Sequence, residues 1–258
     1  MDLGLGGKIV LVTGGSKGIG LACALAFAAE GARVAICSRS QDNITQALAR
    51  LPGAFGIAAD LADAPSAATM IETVENELGP IDVLVNSAGA AKRTPPDELT
   101  PALWRAAMDA KYFSYINAID PLIKRMAARG HGAIVNIIGA GGKVASPTHI
   151  AGGAANAALM LATAGLATAY AGRGVRVIGI SPGLTETGRV AEGMEATAHL
   201  AGISVAEARQ QSIARIPMGR LASPEEIANA AVFFASGKAS YLTGVTVSMD
   251  GAQNPVVV

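Results

Sequence analysis

Short apolar runs alternate with longer stretches of helical periodicity along the chain. The short runs are rich in branched aliphatic residues and predict seven strands: Ile9–Thr13, Arg33–Cys37, Ala54–Ala58, Ile81–Val85, Ala133–Ile138, Val175–Ile180 and Val245–Ser248. The periodic stretches predict helices over Gly18–Glu30, Gln41–Arg50, Pro65–Leu78, Pro101–Arg129, Gly152–Ala171 and Pro224–Ser236. Regular β–α alternation with continuously apolar strands predicts a parallel sheet that is covered on both faces.

No linker, repeat or low-complexity tract interrupts this pattern, so residues 1–258 are predicted to form a single domain. Residues 184–215 are irregular or helical in pattern, and we expect them to form a lid over a substrate or, alternatively, a fixed interface segment.

Composition narrows the class of protein. Lys and Arg number 20 and Asp and Glu number 20, and this neutral balance argues against a nucleic acid as partner. Two cysteines are too few for a disulfide framework, which indicates a reducing compartment. We expect both cysteine side chains to be buried inside the protein. The start of the chain lacks the basic and apolar regions of a signal peptide, so a cytoplasmic location is expected.

One segment, Val144–Gly172, contains no charged residue. It is long enough to span a membrane, but it is rich in alanine, glycine and threonine rather than in large aliphatic residues. We therefore expect no membrane association, and we interpret this segment as a helix buried between the sheet and a partner.

A glycine-rich loop follows the first predicted strand and opens the first predicted helix. Such a loop lets a pyrophosphate approach the backbone, and the helix N-terminus supplies N–H donors and a positive dipole end. The alternative is an ordinary strand-to-helix turn. The expected dinucleotide-binding residues here are Gly14, Ser16, Lys17, Gly18, Ile19 and Gly20.

The end of the second strand indicates which dinucleotide is bound. NAD sites place a carboxylate there to accept from the ribose 2′-hydroxyl, whereas this chain has Ser38 and Arg39, with Lys17 in the glycine loop. A hydroxyl and two cations suit a 2′-phosphate, so NADP(H) is the predicted cofactor. The alternative is that both cations are merely solvated.

The chain resembles the short-chain dehydrogenase/reductase family over nearly its whole length. The resemblance rests on Thr13–Gly20, on Asp60-Leu61, on Asn86-Ser87-Ala88-Gly89, on Pro182-Gly183 with Thr187, and on a C-terminal region from Arg220 to Gly251 similar to 3-oxoacyl-carrier-protein reductases. It implies a Rossmann-like three-layer αβα fold with a seven-stranded parallel sheet and a homo-oligomer, a tetramer or a dimer. The further cofactor contacts that it implies are Asp60, Leu61, Asn86, Ala88, Gly89, Pro182, Gly183 and Thr187.

The resemblance fails at the catalytic positions. The family uses Asn, Ser, Tyr and Lys, and the matching positions here are Lys111, Gly139, Gly152 and Asn156. Gly152 has no proton to donate and Gly139 has no hydroxyl. Asn156 can still hydrogen-bond a nicotinamide ribose and is kept as a cofactor contact.

Relocated groups could supply the acid or base. Lys111 is the leading candidate, because burial beside a cofactor lowers the pKa of a lysine; the alternative is a surface lysine or one paired with Asp109 or Asp120. His149, three residues before Gly152, is second, although a lone loop histidine is often inert. Tyr115 is a third option, because Lys111 one helical turn earlier could depress its pKa.

Three functions stay open. The first is an NADP(H)-dependent oxidoreductase with an atypical site, acting on a small carbonyl or alcohol. The second is an enzyme that needs no strong acid here, such as one reducing an enone C=C bond, or a non-redox enzyme. The third is an inactive NADP(H)-binding sensor or assembly subunit. His131, His149 and His199 lack ligand-like spacing, so no metal is predicted.

Overall fold

The computed structural model describes residues 1–89 and 91–255, and for residues 196 and 200 it describes only the backbone. Seven parallel strands form one sheet in the order β3-β2-β1-β4-β5-β6-β7. The strands are β1 Ile9–Thr13, β2 Arg33–Ser38, β3 Phe55–Ala58, β4 Val83–Asn86, β5 Gly132–Ile137, β6 Val175–Pro182 and β7 Thr246–Met249. The order reverses direction beside β1, between β1 and β4, which is where open α/β sheets bind their ligands.

Nine α-helices lie within the described residues. They are α1 Gly18–Ala29, α2 Gln41–Leu48, α3 Ala64–Leu78, α4 Pro101–Met108, α5 Ser114–Arg129, α6 Ile150–Tyr170, α7 Gly188–Ala201, α8 Val205–Ala214 and α9 Pro224–Ala235. Residues of α1, α2 and α9 build the apolar core on one face of the sheet, and residues of α3, α5 and α6 build it on the other. The predicted Rossmann-like three-layer αβα fold is confirmed.

The predicted helical region Pro101–Arg129 is helical throughout, but one of its turns is not α-helical. A π-helical turn, Asp109–Phe113, separates α4 from α5. A π-helical turn holds one residue more than an α-helical turn, so some carbonyls in it need another hydrogen-bond donor. Ser114 Oγ donates to the carbonyls of Ala110 and Lys111, each at 3.1 Å. One inserted residue shifts the spacing of the apolar residues only slightly. The sequence pattern therefore did not predict the π-helical turn.

The uncharged segment forms the long helix α6. With the turn through Arg173 it is long and apolar enough to cross a membrane by length and composition. Its inner side is nevertheless packed in the core, where Leu159, Thr163 and Ala167 are almost fully buried. Its outer side leaves Leu161 77% exposed. The packing therefore supports the interpretation of α6 as a helix that covers one face of the sheet.

The segment predicted as a lid folds into α7 and α8. Met194 of α7 packs with Ile216 and Leu221 in a small apolar cluster of its own, separate from the two sheet cores. A local core of this size lets the two helices hold together as a unit while making few contacts with the main body.

Candidate active site

The glycine loop folds as a tight turn against the end of β4. Gly14 has a φ of +65°, and a Cβ on it would lie 2.8 Å from the Cα of Ala88, so only glycine fits. Lys17 stands at the N-cap of α1, and its ammonium cannot accept hydrogen bonds from the first-turn N–H groups. Those donors, which belong to Gly18, Ile19 and Gly20, are therefore available to an anion.

The ends of β2 and β3 adjoin this loop. The N–H of Gly15 donates to the carbonyl of Cys37 at 3.3 Å, which brings Ser38 and the exposed Arg39 to the same edge as the exposed Lys17. Ser38 is half-buried, and its Oγ accepts from the N–H of Ser40 at 3.4 Å. The fold thus brings together the hydroxyl and both cations predicted to recognise a 2′-phosphate.

The Asp60-Leu61 pair follows β3 at the same edge. The N–H of Ala59 donates to the carbonyl of Ser38 at 3.0 Å, and the Asp60 carboxylate is exposed beside it. Leu61 is buried, and its carbonyl accepts from Asn117 Nδ2 at 2.9 Å. Leu61 therefore has only its backbone N–H to offer a cofactor. The Asp60 carboxylate is exposed, although its Oδ1 accepts from the N–H of Ala62 at 3.1 Å.

Asn86 is a correction to the predicted cofactor contacts. It is fully buried, its Oδ1 accepts from Thr13 Oγ1 at 3.3 Å, and its Nδ2 donates to Asn136 Oδ1 at 3.0 Å. Asn136 Nδ2 in turn donates to Thr163 Oγ1 at 3.0 Å. The Asn86 side chain therefore ties β1, β4, β5 and α6 together in a buried ladder, and it does not reach the surface where a cofactor would lie.

The segment after β6 closes the other side of the site. Pro182 is buried at the end of β6, and Thr187 caps α7 by accepting from the N–H of Val190 at 3.4 Å. A Cβ on Gly18 would lie 3.3 Å from Thr187 Cγ2. The glycine loop and the Pro182–Thr187 segment, which are far apart in sequence, therefore meet at the carboxyl edge of the sheet.

His149 lies against Gly152, the position that the sequence resemblance aligns with the family's tyrosine. It precedes α6, and a Cβ built on Gly152 would fall 2.5 Å from its Nε2 and collide with Cε1. A Cβ on Gly141 would lie 3.2 Å from His149 Cδ2 and 3.7 Å from Asn156 Nδ2. A Cβ on Gly139 would lie 3.1 Å from the same amide. The imidazole and the Asn156 amide therefore share one small pocket between glycines.

Two polar atoms in this pocket lack a partner. No described residue bonds the buried His149 Nδ1 or the buried Asn156 Oδ1. Buried polar atoms are nearly always satisfied, so both atoms need a partner that the described residues do not supply. Burial, followed by the charges of Arg93 and Lys111, lowers the pKa of His149 below its usual 6.5, so the imidazole is neutral at pH 7.

Lys111 lies within the π-helical turn and is buried. Its Nζ donates to Tyr115 Oη at 2.7 Å and to the carbonyl of Ile137 at 3.1 Å, and Tyr115 Oη donates to the same carbonyl at 2.6 Å. No described carboxylate pairs with Lys111, and Asp120 instead pairs with Lys124, so the surface or salt-bridged alternative is wrong. Burial, followed by the charge of Arg189, lowers the pKa of Lys111 to about 7.

Tyr115 is a second correction. We expected Lys111 to depress the pKa of its phenol, but burial raises that pKa instead, because a phenolate in the fully enclosed site would lose its hydration. The hydroxyl is 0% exposed and cannot touch a substrate. Tyr115 therefore serves as a hydrogen-bond partner of Lys111.

The arrangement fits a nicotinamide dinucleotide. Along the carboxyl edge of the sheet, the cations beside Ser38 lie at the end of β2, the free N–H groups of α1 follow β1, and Asn156 lies on the helix after β5. This is the order of a ribose phosphate, a pyrophosphate and a nicotinamide ribose. As for metals, no group of three or more His, Cys, Asp or Glu side chains with a metal-binding arrangement occurs in the described part of the chain.

Comparison with known proteins places this site in context. A family model described as enoyl-(acyl carrier protein) reductase matches residues 14–253. A D-threitol dehydrogenase of Mycolicibacterium smegmatis is 38% identical, covering 97% of this chain and 94% of the relative. A 3-oxoacyl-[acyl-carrier-protein] reductase of Thermotoga maritima is 31% identical, covering 96% and 98%. A crystal structure of an actinorhodin polyketide ketoreductase with NADPH superposes with a TM-score of 0.93 at 29% identity, covering 96% of this chain and 97% of that one.

Proposed function

Because the chain belongs to the short-chain dehydrogenase/reductase family of oxidoreductases, which use NAD(P)H, we propose that it interconverts a secondary alcohol and a ketone with His149 as its acid–base group. The observation that carries the proposal is the position of the imidazole, which occupies the space above Gly152 where a tyrosine would begin. An inactive NADP(H)-binding protein is the alternative that the experiments below distinguish.

The cofactor that we propose is NADP(H) rather than NAD(H). The cofactor supplies or takes the hydride when bound, and Ser38, Arg39 and Lys17 would hold its 2′-phosphate. Both cations are exposed at the edge where β2 ends, and no described carboxylate pairs with either. A charge-assisted bond from the guanidinium would account for the discrimination between the two dinucleotides.

Replacing Arg39 tests this preference. We expect Arg39→Gln to weaken NADPH binding about tenfold and to leave NADH binding nearly unchanged, because only NADPH carries the phosphate. Calorimetric titration of each dinucleotide measures this directly. Wild-type protein that binds NADH as tightly as NADPH would contradict the assignment, and binding of neither dinucleotide would refute the whole proposal.

His149 is suited to act as a base in alcohol oxidation. Its pKa lies below 6.5, so the neutral imidazole is ready to accept the hydroxyl proton at pH 7. In the reverse direction the same group must be protonated, and its protonated fraction falls as pH rises. Alcohol oxidation should therefore increase with pH up to a plateau reached near neutrality, and carbonyl reduction should decrease over the same range.

Asn156 and Lys111 have supporting roles in this proposal. The Asn156 amide lies beside the imidazole, and its buried Oδ1, which no described residue bonds, would have to turn toward the site to bond the cofactor ribose. Lys111 is a positioning residue, because its ammonium is enclosed by Tyr115 and Ile137 and acts on His149 through charge. Its charge adds to the effects of burial and of Arg93, which are the larger causes of the lowered pKa of His149.

Substitution of His149 tests the assignment. We expect His149→Gln to lower kcat/KM for alcohol oxidation by about 10²- to 10⁴-fold and to abolish the rise with pH, because glutamine cannot take a proton. His131→Gln is the matched control, since His131 is exposed near Asp82 at the opposite end of the strands. Unchanged pH dependence in His149→Gln would exclude the imidazole, and wild-type protein that binds NADPH but turns over no alcohol or ketone of a broad panel would favour the inactive alternative.

We further propose that the protein is a cytoplasmic homo-oligomer, a tetramer or a dimer. Both cysteines are free and buried, as suits a reducing compartment. Relatives of this family act on small molecules, and we propose a small-molecule substrate with no nucleic-acid or membrane partner.

A further inference from the structure

Two segments that are far apart in sequence meet at Thr148. The N–H of Thr94 donates to the carbonyl of Thr148 at 3.0 Å, and Arg93 Nη1 donates to Thr148 Oγ1 at 3.3 Å. Both donors belong to the loop after β4, and Thr148 lies just before α6. One bond holds the backbone of Thr148 and the other holds its side chain, so the loop fixes both the position and the orientation of this residue.

Thr148 lies in a tight turn that leads into His149. The N–H of His149 donates to the carbonyl of Ser146 at 2.9 Å, which closes a β-turn. Pro147 and Thr148 are its central residues, and the proline ring fixes φ at the first of them. The N–H of Gly153 then donates to the carbonyl of His149 at 2.7 Å, where α6 begins. The backbone of His149 is therefore held by α6 on one side and by this turn on the other.

The imidazole has no comparable support of its own. No described residue bonds its buried Nδ1. The ring lies against Gly152 and Gly141, which have no side chain to hold it in place. The direction of the ring in the pocket is therefore set by the backbone that carries it, and the bonds to Thr148 hold that backbone on its N-terminal side.

The fold does not depend on these bonds. Arg93 and Thr148 are both exposed, and neither of the two sheet cores includes a residue of the loop 91–95. A single hydrogen bond at the surface adds little to the free energy of unfolding, because water can replace either partner. Loss of the bond between Arg93 and Thr148 should therefore release the turn beside His149 and leave the fold intact.

We propose that Arg93 is a positioning residue, which through Thr148 holds the imidazole of His149 against Gly152 in the orientation that proton transfer requires. The proposal rests on the proposed function, because it concerns the acid–base group of the same site. Proton transfer needs heavy atoms within about 2.6–3.2 Å of each other, so a displacement of about 1 Å is enough to impair it.

NMR spectra of protein with labelled histidine test the position of the ring without any substrate. His149 is one of three histidines, and His149→Gln identifies its Cε1–Hε1 signal. Thr148→Val removes the acceptor and keeps the guanidinium, and we expect it to shift or broaden this signal. It should also raise the pKa of His149 toward 6.5, because burial is the largest cause of the lowered pKa and a released ring is hydrated.

Replacing the arginine should have the same effect on the signal. Arg93→Met should also raise the pKa of His149 at least as far as Thr148→Val does, because it removes one of the two cations, Arg93 and Lys111, whose charges lower that pKa. The double variant Arg93→Met/Thr148→Val should resemble Arg93→Met alone, since the same bond is lost in both.

Conservative variants and a control locate the effect. Thr148→Ser keeps the hydroxyl and Arg93→Lys keeps a donor, so both should retain a signal close to that of the wild type. Arg33→Met removes an exposed arginine that donates to the carbonyl of Leu78 at the amino edge of the sheet, and it should leave the His149 signal unchanged.

Kinetics separate positioning from substrate binding. With NADP⁺ and a panel of secondary alcohols that includes 2-butanol and cyclohexanol, Thr148→Val and Arg93→Met should lower kcat about tenfold and change KM by less than about twofold. The Kd of NADP⁺, measured by calorimetry, should stay as in the wild type. A higher KM at unchanged kcat would show that Arg93 contacts the substrate, and would overturn its role as a positioning residue.

Two further results separate this proposal from the proposed function. A His149 signal and pKa that stay as in the wild type in Thr148→Val overturn the positioning role, whatever the turnover, because charge alone would then account for any effect of Arg93→Met. A displaced ring with full turnover shows that Arg93 holds the ring and overturns the acid–base role of His149. The NMR result needs no turnover, so it decides the positioning role for a protein that oxidises none of the alcohols as well.

Discussion

At the residue scale, one imidazole lies against Gly152, the position that the sequence resemblance aligns with the family's catalytic tyrosine. His149 occupies the volume above Gly152, and Asn156 faces it across Gly141. Neither Gly139 nor Gly152 has a side chain that can bond a substrate, so the side-chain chemistry of the pocket depends on His149 and on the charges near it. These charges are all positive, which makes the imidazole a better base than acid at pH 7.

The buried ammonium of Lys111 also affects stability. Its pKa is about 7 in the folded protein against 10.5 as a free side chain, so between these values the unfolded chain binds more protons than the folded one. The free energy of unfolding of the wild type should therefore rise with pH, by about 1 kcal/mol per unit between pH 7 and 9. The cost of burying the amine is largest below pH 7 and is lost above pH 10.5.

Lys111→Met should remove this dependence. The apolar side chain has a similar length and no charge to bury, so the variant should be more stable at pH 7, on the order of 3 kcal/mol, with a flat profile from pH 7 to 9. Urea unfolding across that range measures both quantities. Lys124→Met, at an exposed pair with Asp120, should keep the wild-type slope. Equal slopes in wild type and Lys111→Met would show that the amine does not titrate in this window.

At the element scale, α6 combines a structural and a functional role in one helix. Its inner side continues the buried ladder through Thr163, and its first turns carry Gly152 and Asn156. Glycine within a helix ordinarily costs about 0.5–1 kcal/mol relative to alanine. At position 152 a side chain would collide with the imidazole of His149, which lies against the helix backbone, so glycine is required despite this cost.

A pair of substitutions on this helix separates the two roles. Gly165→Ala introduces a Cβ with nothing within 4 Å, so we expect a gain of about 0.5–1 kcal/mol and unchanged activity. Gly152→Ala introduces a Cβ in collision with the His149 ring. It should displace the imidazole, lower alcohol oxidation at least tenfold and show less stabilisation than Gly165→Ala. Thermal unfolding and steady-state kinetics on both variants provide the comparison, and full activity in Gly152→Ala would contradict the placement of His149.

At the scale of the whole molecule, distant segments meet along the carboxyl edge of one sheet. The glycine loop, the ends of β2 and β3, the turn before α6 and the segment after β6 all lie there because every strand is parallel. Away from this edge, the outer surface of α6 carries no charged residue. It exposes Leu161, and Trp104 of α4 and Phe113 of the π-helical turn are also partly exposed.

These exposed apolar side chains lead to a prediction about assembly. We expect the protein to have a mass in solution that is a multiple of 25.8 kDa, and Leu161→Glu to shift it toward the monomer, because a carboxylate in an apolar interface loses its hydration. Size-exclusion chromatography with light scattering measures the mass. Val205→Glu, at an exposed apolar residue of α8, should leave it unchanged. A monomeric wild type would contradict the expected oligomer.

The sequence by itself determined the strands of the sheet and most of the helices, because these depend on local periodicity. It also predicted which edge of the sheet binds a dinucleotide, because a glycine loop follows the first strand. The strand β1 and the start of α1 agree with the predicted limits for this reason. It also predicted that Lys111, Gly139, Gly152 and Asn156 stand at the tetrad positions, and it named His149 and Lys111 as candidates. Side-chain direction, however, depends on which segments pack together, and sequence spacing does not contain that information.

The tertiary structure decided the roles within the site. It buried Asn86 in a ladder across three strands, enclosed Tyr115 so that burial raised its pKa, and turned the His149 ring onto Gly152. It also inserted the π-helical turn that directs Lys111 inward, and it fastened Arg93 to Thr148, the residue that precedes His149. Burial and the proximity of charges, which set these pKa values, arise only when distant parts of the chain pack against one another.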